Sequence, residues 1–429
     1  MASRIPSPLD LLAMTNYTSG SASPVDSSRT DAKLLLKVGF LTYDLQRNTE
    51  DALFELARAT SYPVKAFPLY RHADQELSRV AYRPATAPCR PFGVTVKGST
   101  PEGLAANPEW AVGLACARES DIVILKGLLG LGAIWCAFCA RVLGRIVIST
   151  NQTLPEKWER KRRWWIRSLK WLLLRMCQYH IFQNPAAFEV LTSVYGFAPD
   201  RLVSAPFEGG AGLFRRILNR TSPDGESRAY FNSDAKVIFL FVGTLLPFKG
   251  VADLIRAAAL LPENASFLCV FVGSEAPQAK DDGTIENFLR FARSSGVERR
   301  VRFLGPVAPE KLAEFYRAAD AVLLPTHKDC FPKVLVEAGL AGKPLVTTSA
   351  CGSAGLIVQD GVNGFVIEPG DTGQLAQAMA KLFDPEVRRR MGARSIEIVN
   401  QFCRMDLEVQ GYLEAIARGA EYLGMRESA

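Results

Sequence analysis

The stretch that most constrains the fold of this chain runs from Ala321 to Asp371. It alternates short apolar runs with clusters of Gly, Pro and small polar residues, in the order strand, loop, helix, strand and turn. Two acidic residues, Asp329 and Glu337, flank the apolar segment CFPKVLV, and Pro332 stands where a helix would begin. In such a helix Glu337 lies one turn in, and the free N–H groups of the first turn face the loop that carries Asp329. The pattern predicts an α/β fold in which two carboxylates and an anion-binding helix end share one crevice.

The same alternation of strand and helix patterns runs through most of the 429 residues. A chain of this length with 48% hydrophobic residues favours two domains over one. Strands that alternate with helices form right-handed βαβ units and parallel sheets, and ligands bind at the carboxyl ends of the strands. We therefore expect two doubly wound, Rossmann-like domains whose sheets face a cleft between them.

Composition marks the domain boundaries. Residues 1–32 are rich in Ser, Pro, Thr and Asp, which predicts a disordered tail. The first domain is expected over residues 33–207. Residues 208–233 interrupt the strand and helix pattern with Gly, Arg, Asn, Ser and Pro, so we interpret them as a linker. The second domain follows at 234–400, and an amphipathic helix at 401–425 is expected to return and complete the first.

The chain shows no sign of secretion or of membrane spanning. Its N-terminus lacks a secretory apolar segment, and no apolar run reaches about 18 residues, the length that would indicate a transmembrane helix. The nearest run, Leu128 to Leu143, predicts a buried helix. The nine cysteines are scattered, without a CxxC pair beside histidines. We expect reduced thiols, no metal site and a cytoplasmic location.

A second loop of interest, with the sequence GTLLPFKG, runs from Gly243 to Gly250. A strand pattern ends at Gly243, and Lys249 comes just before the next helix pattern. Such a loop can present backbone N–H groups and one ammonium group to a phosphate. An ordinary turn with a solvated lysine has the same pattern, and the loop alone does not separate the two interpretations.

Three segments in this order, VGTLLPFKG, KDCFPKVLVEAGLAGKPLV and CGSAGLIVQDGVNGFVIEPGD, resemble the retaining glycosyltransferases of family 4, the group-1 glycosyltransferases with the GT-B fold. The resemblance is strong over about residues 236–400 and extends to the rest only as a pattern of elements. It implies transfer of a sugar from a nucleotide diphosphate sugar to a glycan or lipid-linked acceptor with retention of configuration, in polysaccharide or glycoconjugate biosynthesis. It also implies a donor on the second domain, an acceptor on the first, and no metal or other cofactor.

The resemblance assigns roles to individual residues. Glu337 matches the acid that holds the ribose hydroxyls, and an ionised carboxylate can accept both hydrogen bonds. Asp329 matches the acid near the transferred sugar, although it is one methylene shorter than the commoner Glu. Lys249 matches the cation that stabilises the diphosphate leaving group. The remaining positions expected to bind the donor are Gly243, Thr244, Phe331, Pro332, Lys333 and Val334.

This chain also departs from the family pattern. Thr244 stands where relatives often carry Arg, and no glycine occurs between Gly39 and Gly93, where relatives have a Gly-Gly loop. Asn151 replaces a frequent histidine, so we assign no histidine base; the leaving phosphate of the donor can serve instead. His327 lies beside the crevice, and its role stays open. Two alternatives therefore remain: a catalytically silent subunit that binds a sugar nucleotide, and a GT-B relative such as a sugar-nucleotide epimerase.

Residues 156–178 hold eight basic residues against two acidic ones. A helical apolar stripe is predicted from Trp158, Trp165, Leu169, Leu172 and Met176, and it is widened by Trp164, Trp171 and Leu173. Two interpretations stay open. The stripe packs into the first domain, or the helix lies peripherally on the inner face of an anionic membrane with Trp at the interface. Nucleic acid is a poorer partner, because the chain has no recognisable binding module and the rest is nearly neutral.

Overall fold

The structure is a computed structural model. It describes residues 36–44, 47–59, 64–72, 104–106, 109–126, 131–220, 230–231, 234–275 and 283–427. The described chain divides into two compact units. The first contains the residues up to Gln152, those from Glu159 to Phe207, and those from Met405 onward; the second contains Thr153–Trp158 and Glu208–Arg404. The predicted tail, residues 1–32, lies outside the described residues.

The first unit is built on a seven-stranded sheet. Its strands are β1 (Val38–Asp44), β2 (Val64–His72), β3 (Leu104–Ala106), β4 (Ile122–Lys126), β5 (Ile146–Asn151), β6 (Tyr179–Phe182) and β7 (Leu202–Ser204). The order across the sheet is β3-β2-β1-β4-β5-β6-β7, and all pairs are parallel except β2 with β3. Strands β4 and β5 are buried along nearly their whole length, which explains their unbroken runs of Ile, Val and Leu.

Helices cover the faces of this sheet. They are α1 (Arg47–Ala59), α2 (Glu109–Glu119), α3 (Leu131–Val142), α5 (Trp164–Met176) and α6 (Pro185–Glu189). The short helix α4 (Glu156–Glu159) contains residues assigned to both units. On one face, α2, α3 and α5 contribute Val112, Cys136 and Leu173 to a buried cluster with Val123 and Leu125 of β4. This layer holds the basic segment singled out in the sequence.

The second unit contains a six-stranded parallel sheet. Its strands are β8 (Val237–Val242), β9 (Phe267–Val272), β10 (Val301–Gly305), β11 (Ala321–Leu323), β12 (Leu345–Thr348) and β13 (Gly364–Ile367). Its helices are α7 (Ala211–Arg220), α8 (Val251–Leu260), α9 (Ile285–Ser294), α10 (Pro309–Ala318), α11 (Lys333–Leu340), α12 (Thr372–Lys381) and α13 (Pro385–Phe402). The order is β10-β9-β8-β11-β12-β13. The chain adds β9 and β10 on one side of β8 and then returns to place β11 on the other. The point between β8 and β11 is therefore the topological switch point, where ligands bind in such sheets.

Part of the predicted linker, residues 208–233, is a helix of the second unit. Helix α7 buries Phe214 and Leu218 at helical spacing, and the Phe214 ring meets the Tyr316 ring edge-on with centroids 5.5 Å apart. The Glu208 carboxylate accepts a hydrogen bond of 2.7 Å from the Gly210 N–H just before the helix. The Gly and Arg content of this stretch hid an amphipathic pattern with two large apolar residues.

The last helix, α14 (Met405–Glu427), belongs to the first unit. It buries Val409, Tyr412 and Ile416 against the sheet face opposite to α3 and α5. A Cβ at Gly411 would lie 2.2 Å from the carbonyl oxygen of Ser204, so only glycine lets the helix approach the end of β7 this closely. Both units are therefore doubly wound α/β structures.

Helix α3, predicted as a buried helix, is buried on one side only. Its small residues Ala133, Cys136 and Ala137 face the sheet, whereas Trp135 and Phe138 are exposed. The run contains few polar residues, so its sequence did not show that one side of the helix would be exposed. No helix in the described ranges is both long and apolar enough to cross a membrane.

Candidate active site

The predicted donor-site residues lie in two loops at the switch point of the second sheet and in the helix α11 that follows the second loop. Gly243 and Thr244 directly follow β8, and the loop that carries Asp329 follows β11. These strands are neighbours, with Ala321 paired with Phe239. Since parallel strands end at the same edge of the sheet, residues 80 positions apart in the chain meet here.

Backbone contacts join the two loops. Gly250 has φ +80°, and a Cβ there would lie 2.1 Å from the carbonyl oxygen of Pro325. The His327 N–H donates to the carbonyl oxygen of Phe248 at 2.7 Å, and the Thr326 hydroxyl donates to the same oxygen at 3.1 Å. This contact brings Lys249 against the loop that contains Asp329.

Lys249 and Asp329 form an ion pair. The Lys249 Nζ lies 2.5 Å from Oδ2 of Asp329, and the two side chains are 21% and 15% exposed. The Asp329 carbonyl accepts from the Gly352 N–H at 2.8 Å, which fixes the backbone of the acid. The two residues to which the resemblance assigns sugar and diphosphate contacts are thus partners of each other here.

The backbone of the loop from Gly243 to Gly250 is largely used within the fold. The N–H groups of Gly243 and Leu245 donate to carbonyls at the end of β9 and just beyond it, at 2.9 Å each. Those of Lys249 and Gly250 donate to carbonyls in their own turn. The sequence suggested that N–H groups of this loop could bind phosphate; these four donate within the fold, and Lys249 adds an ammonium group to the loop.

The N-terminus of α11 is the second feature that was expected to face an anion. Pro332 stands at the N-cap, and Lys333 and Val334 begin the helix partly exposed. The Phe331 side chain is buried, and Gly209 packs beside it, since a Cβ at Gly209 would lie 3.2 Å from the Phe331 ring. Phe331 therefore anchors the loop, whereas the first turn of α11 carries the N–H groups that can face an anion.

Glu337, one turn into α11, is held by a tyrosine that the sequence did not point to. The Tyr316 hydroxyl donates to Oε2 of Glu337 at 2.9 Å. Burial raises the pKa of the Glu337 carboxyl, while the Tyr316 hydrogen bond and the Lys333 ammonium act in the opposite direction. Burial and the Glu337 charge raise the pKa of the Tyr316 phenol, so Tyr316 stays a donor. The only signal in the sequence was a tyrosine at a core position of α10.

His327 belongs to a separate pair. Its Nε2 lies 2.5 Å from Oδ2 of Asp253, which is buried in the first turn of α8 and also accepts from Arg256 at 2.9 Å. The pair joins the loop after β11 to the helix after β8. The sequence did not identify Asp253 as a residue of the site either, because an acidic residue in the first turn of a helix is common.

Asn151, which replaces the frequent histidine, is bonded inside the first unit. Its Nδ2 donates to Oγ of Ser149 at 2.9 Å and to the carbonyl of Ile181 at 3.1 Å. The Ser149 hydroxyl lies 2.8 Å from Nδ1 of His180, which is fully buried. These side chains form a buried polar network within the sheet.

The structure also corrects the predicted apolar stripe of the basic segment. Trp165 and Leu172 are exposed, so the interpretation in which they pack inward is wrong for these residues. The buried side of α5 is instead formed by Lys170, Leu173 and Leu174. Lys170 can be buried because its ammonium lies 2.9 Å from Oε1 of the buried Glu159.

Comparisons with known proteins bear on the family and on the fold. Residues 225–397 match the family described as glycosyl transferases group 1. A D-inositol 3-phosphate glycosyltransferase of Corynebacterium efficiens is 30% identical over 241 residues, which are 53% of this chain and 55% of that protein. The chain thus spans about half the length of the curated relatives it matches. Among solved structures, Anabaena Alr3699/HepE in complex with UDP has a TM-score of 0.67 at 20% identity, covering 89% of this chain and 100% of that one. Sucrose-phosphate synthase from Thermosynechococcus elongatus has a TM-score of 0.63 at 18% identity, covering 92% and 100%.

The likeness to these solved structures shows the GT-B fold. The predicted fold class is confirmed. Residues 225–397 match the group 1 glycosyl transferases, so the resemblance seen in the sequence is confirmed.

Proposed function

We propose that this protein is a glycosyltransferase that takes its sugar from a nucleotide diphosphate sugar. One observation carries the proposal. Three features lie in segments that meet at one edge of the second sheet: the Lys249 ammonium group, the N-terminus of α11 and the Glu337 carboxylate. All three fall within the residues that match the group 1 family. A cation and a helix N-terminus suit a diphosphate, and a carboxylate one turn further suits a ribose. The UDP bound to Anabaena Alr3699/HepE supports the same class of donor.

Glu337 holds the ribose in this proposal. Its Oε2 already accepts from Tyr316, which fixes the orientation of the carboxylate. Oε1 and the second lone pair of Oε2 then accept the ribose hydroxyls. Because burial raises the pKa of Glu337, this interaction requires a pH at which the carboxyl is ionised.

Lys249 exchanges its partner when the donor binds. Without a donor its charge is balanced by Asp329, at 2.5 Å. A diphosphate carries more negative charge than one carboxylate and competes for the same ammonium group. The exchange releases Asp329 toward the transferred sugar, where the resemblance expects an acid. Lys249 then stabilises the negative charge that develops on the leaving phosphate.

We propose that transfer retains the anomeric configuration. The bond from the anomeric carbon to the phosphate oxygen breaks, and the acceptor oxygen forms its bond to that carbon on the same face. The proton of the acceptor hydroxyl passes to the departing phosphate oxygen, so no protein base is needed. This route suits a chain in which Asn151 replaces a histidine and is bonded to Ser149.

The acceptor is a glycan or a lipid-linked glycan, in polysaccharide or glycoconjugate biosynthesis. The name of the Corynebacterium relative adds an inositol phosphate as an acceptor to test. We place the protein in the cytoplasm, attached peripherally to the inner face of the membrane.

A catalytically silent subunit that binds a sugar nucleotide is the second candidate. The observations that favour it are the occupied ammonium of Lys249 and the loss of the Arg and His that many relatives carry at Thr244 and Asn151. Such a subunit binds the donor at the same residues but turns over none of it.

A donor panel tests the proposal. UDP- and GDP-sugars are screened by thermal shift, since a ligand that binds the folded state raises the melting temperature. Release of nucleoside diphosphate is then measured with inositol phosphate and with crude lipid extracts as acceptors, and NMR of the product gives its anomeric configuration. We expect Glu337→Ala to abolish the thermal shift and Lys249→Ala to lower the rate by about 100-fold. Glu310→Ala, an exposed acid of the same unit, should leave both unchanged.

The outcomes separate the candidates. Donor binding without hydrolysis or transfer would leave only the silent subunit. A thermal shift that Glu337→Ala does not alter would place the nucleotide elsewhere and contradict the site.

A further inference from the structure

Helices α3 and α5 present large apolar side chains on the outside of the first unit. On α3, Trp135 is 40%, Phe138 51% and Val142 70% exposed. On α5, Trp164 is 77% exposed. The two helices contact each other. We call this surface the aromatic face; its residues are Trp135, Phe138, Val142 and Leu143 at or just after α3, and Trp164, Trp165, Trp171 and Leu172 on α5.

The large side chains of α3 lie on its exposed side, and its small side chains lie on its buried side. The inner side of α3 is made of small residues such as Ala133, Ala137 and Ala140, so its largest side chains point outward at helical spacing. The Trp135 and Phe138 rings stack on each other with centroids 5.9 Å apart. A contiguous apolar surface of several aromatic side chains is uncommon on a protein that stays in water, and it marks a site of interaction.

The surroundings of this face are basic. Neither α3 nor α5 contains an acidic residue. Arg160, Lys161 and Arg163 are exposed immediately before α5. Near the end of that helix the exposed Arg175 guanidinium lies over the Trp171 ring, 5.1 Å from its centroid.

The acid nearest in sequence does not neutralise this charge at the surface. Glu159 is fully buried, with its carboxylate 2.9 Å from Lys170 and 2.9 Å from Arg162. The charge of Glu159 is therefore used inside the first unit.

We propose that the aromatic face docks on an anionic lipid bilayer. Trp and Phe side chains enter the interfacial layer, where an amphipathic ring is most stable, and Arg and Lys bind lipid phosphates. Charge complementarity favours this partner, because a basic rim around tryptophans fits a negatively charged, partly apolar surface. The inner sides of α3 and α5 are packed on the sheet, so the face can dock as it stands. The surface involves α3 as much as the basic segment, and its residues belong to the first unit, whereas those of the candidate active site belong to the second.

The first test uses the full-length protein with vesicles of phosphatidylglycerol and phosphatidylcholine, and with phosphatidylcholine alone. Flotation measures the bound fraction. All six tryptophans lie between positions 110 and 171, so their emission reports on this region. We expect binding to the anionic vesicles with a blue shift of the emission, weak binding to neutral vesicles, and loss of binding as salt is raised.

Variants separate the apolar and ionic contributions. We expect Trp135→Ser with Phe138→Ser, and separately Trp164→Ser with Trp165→Ser, to lower the partition coefficient at least tenfold. Neutralising the cations by Arg160→Gln, Lys161→Gln and Arg163→Gln should remove the preference for anionic lipid. The matched apolar control is Leu260→Ser with Ile396→Ser, two residues 60% and 40% exposed on the second unit, and it should bind as wild type.

Several results would overturn the proposal. One is absence of binding to the anionic vesicles. Another is an equal loss in the Leu260 and Ile396 control. A dimer that dissociates in the Trp135 and Phe138 variant, seen by light scattering, would assign the face to a second copy of the chain. Donor binding, followed by thermal shift in the same variants, should be unchanged; the test therefore stands even if the proposed transferase activity fails.

Discussion

The Nζ atom of Lys249 lies 2.5 Å from Oδ2 of Asp329, and the pair links the loops that follow β8 and β11. Both residues were selected from the sequence for contacts with a donor. The two charges are paired with each other, so in the proposed function donor binding begins with competition for Lys249. If the proposal holds, the strength of this pair sets part of the affinity for a nucleoside diphosphate.

Replacing Asp329 should reveal this competition. In Asp329→Asn the ammonium of Lys249 keeps its position but loses its ionic partner. A partly exposed ion pair contributes about 1 kcal/mol, so we expect UDP or GDP to bind roughly fivefold more tightly. Isothermal titration with the nucleoside diphosphate alone isolates this effect from any contact with the sugar. Glu310→Gln removes one negative charge from the same unit and serves as the control; weaker binding in Asp329→Asn would contradict the exchange.

Tyr316→Phe should shift the pH dependence of nucleotide binding. The hydrogen bond from Tyr316 lowers the pKa of Glu337 against the effect of burial, so its loss raises that pKa further. In the proposed function, nucleotide binding requires the ionised Glu337 carboxylate. When the pH is lowered, Tyr316→Phe should therefore lose nucleotide binding at a higher pH than the wild type does. Dissociation constants measured from pH 5 to 8 give the shift. The same series with a 2′-deoxynucleotide is the control, because a missing ribose hydroxyl should shrink the effect of the substitution; equal curves for wild type and Tyr316→Phe would exclude this role.

His180 should make the first unit sensitive to acid. Burial, together with the charges of Arg201 and Arg175, lowers its pKa from 6.5 to about 3. Between these values the unfolded chain binds a proton that the folded protein does not. The stability contributed by neutral His180 is therefore complete above about pH 6.5 and is lost as the pH falls toward 3.

The magnitude can be measured by urea unfolding followed by tryptophan emission. Between pH 6.5 and 5.5 this group contributes a loss of up to about 1.4 kcal/mol in the free energy of unfolding. His180→Gln removes the titrating ring, so its stability should fall less over the same range. Parallel pH profiles for the two proteins would show that His180 is not the responsible group.

Gly250→Ala should separate the two loops of the site. Alanine at φ +80° is strained, and its Cβ would meet the Pro325 carbonyl at 2.1 Å. We expect a loss of about 2 kcal/mol or more in stability together with weaker donor binding. Gly361→Ala is the matched control, since Gly361 has φ +71° with no atom close to the added Cβ. Any excess effect at position 250 then measures the contact between the loops, and an equal effect at both positions would mean that backbone strain alone is responsible.

The sequence was informative wherever short-range pattern and family motif coincided. Buried strands such as β8, VIFLFV, read as unbroken apolar runs, and glycines mark their ends, so the fold class could be predicted. The same reasoning selected Lys249 and Asp329, because both follow strands that end at one edge of a parallel sheet.

Contacts between residues that are far apart in the sequence could not be predicted from it. Tyr316 and Glu337 stand on different helices, and no spacing rule joins them. Helix α5 presents its tryptophans outward because Lys170 pairs with Glu159, outside that helix, and thereby turns a polar residue into a buried one. The sequence did not indicate helix α7, because the segment is rich in Gly and Arg. In the structure, its Phe214 packs on Tyr316 of another helix. In each case a tertiary partner overrode the local pattern.

The return of α14 to the first unit has a consequence for the order in which the protein can fold. Its residues Val409, Tyr412 and Ile416 complete the core on one face of a sheet whose first strand begins at Val38. A ribosome must therefore finish about 370 further residues before that face can be covered. The second unit, Glu208–Arg404, is nearly continuous in sequence and can close first. The domain synthesised first is thus expected to mature last, with its apolar sheet face open to chaperones in the interval.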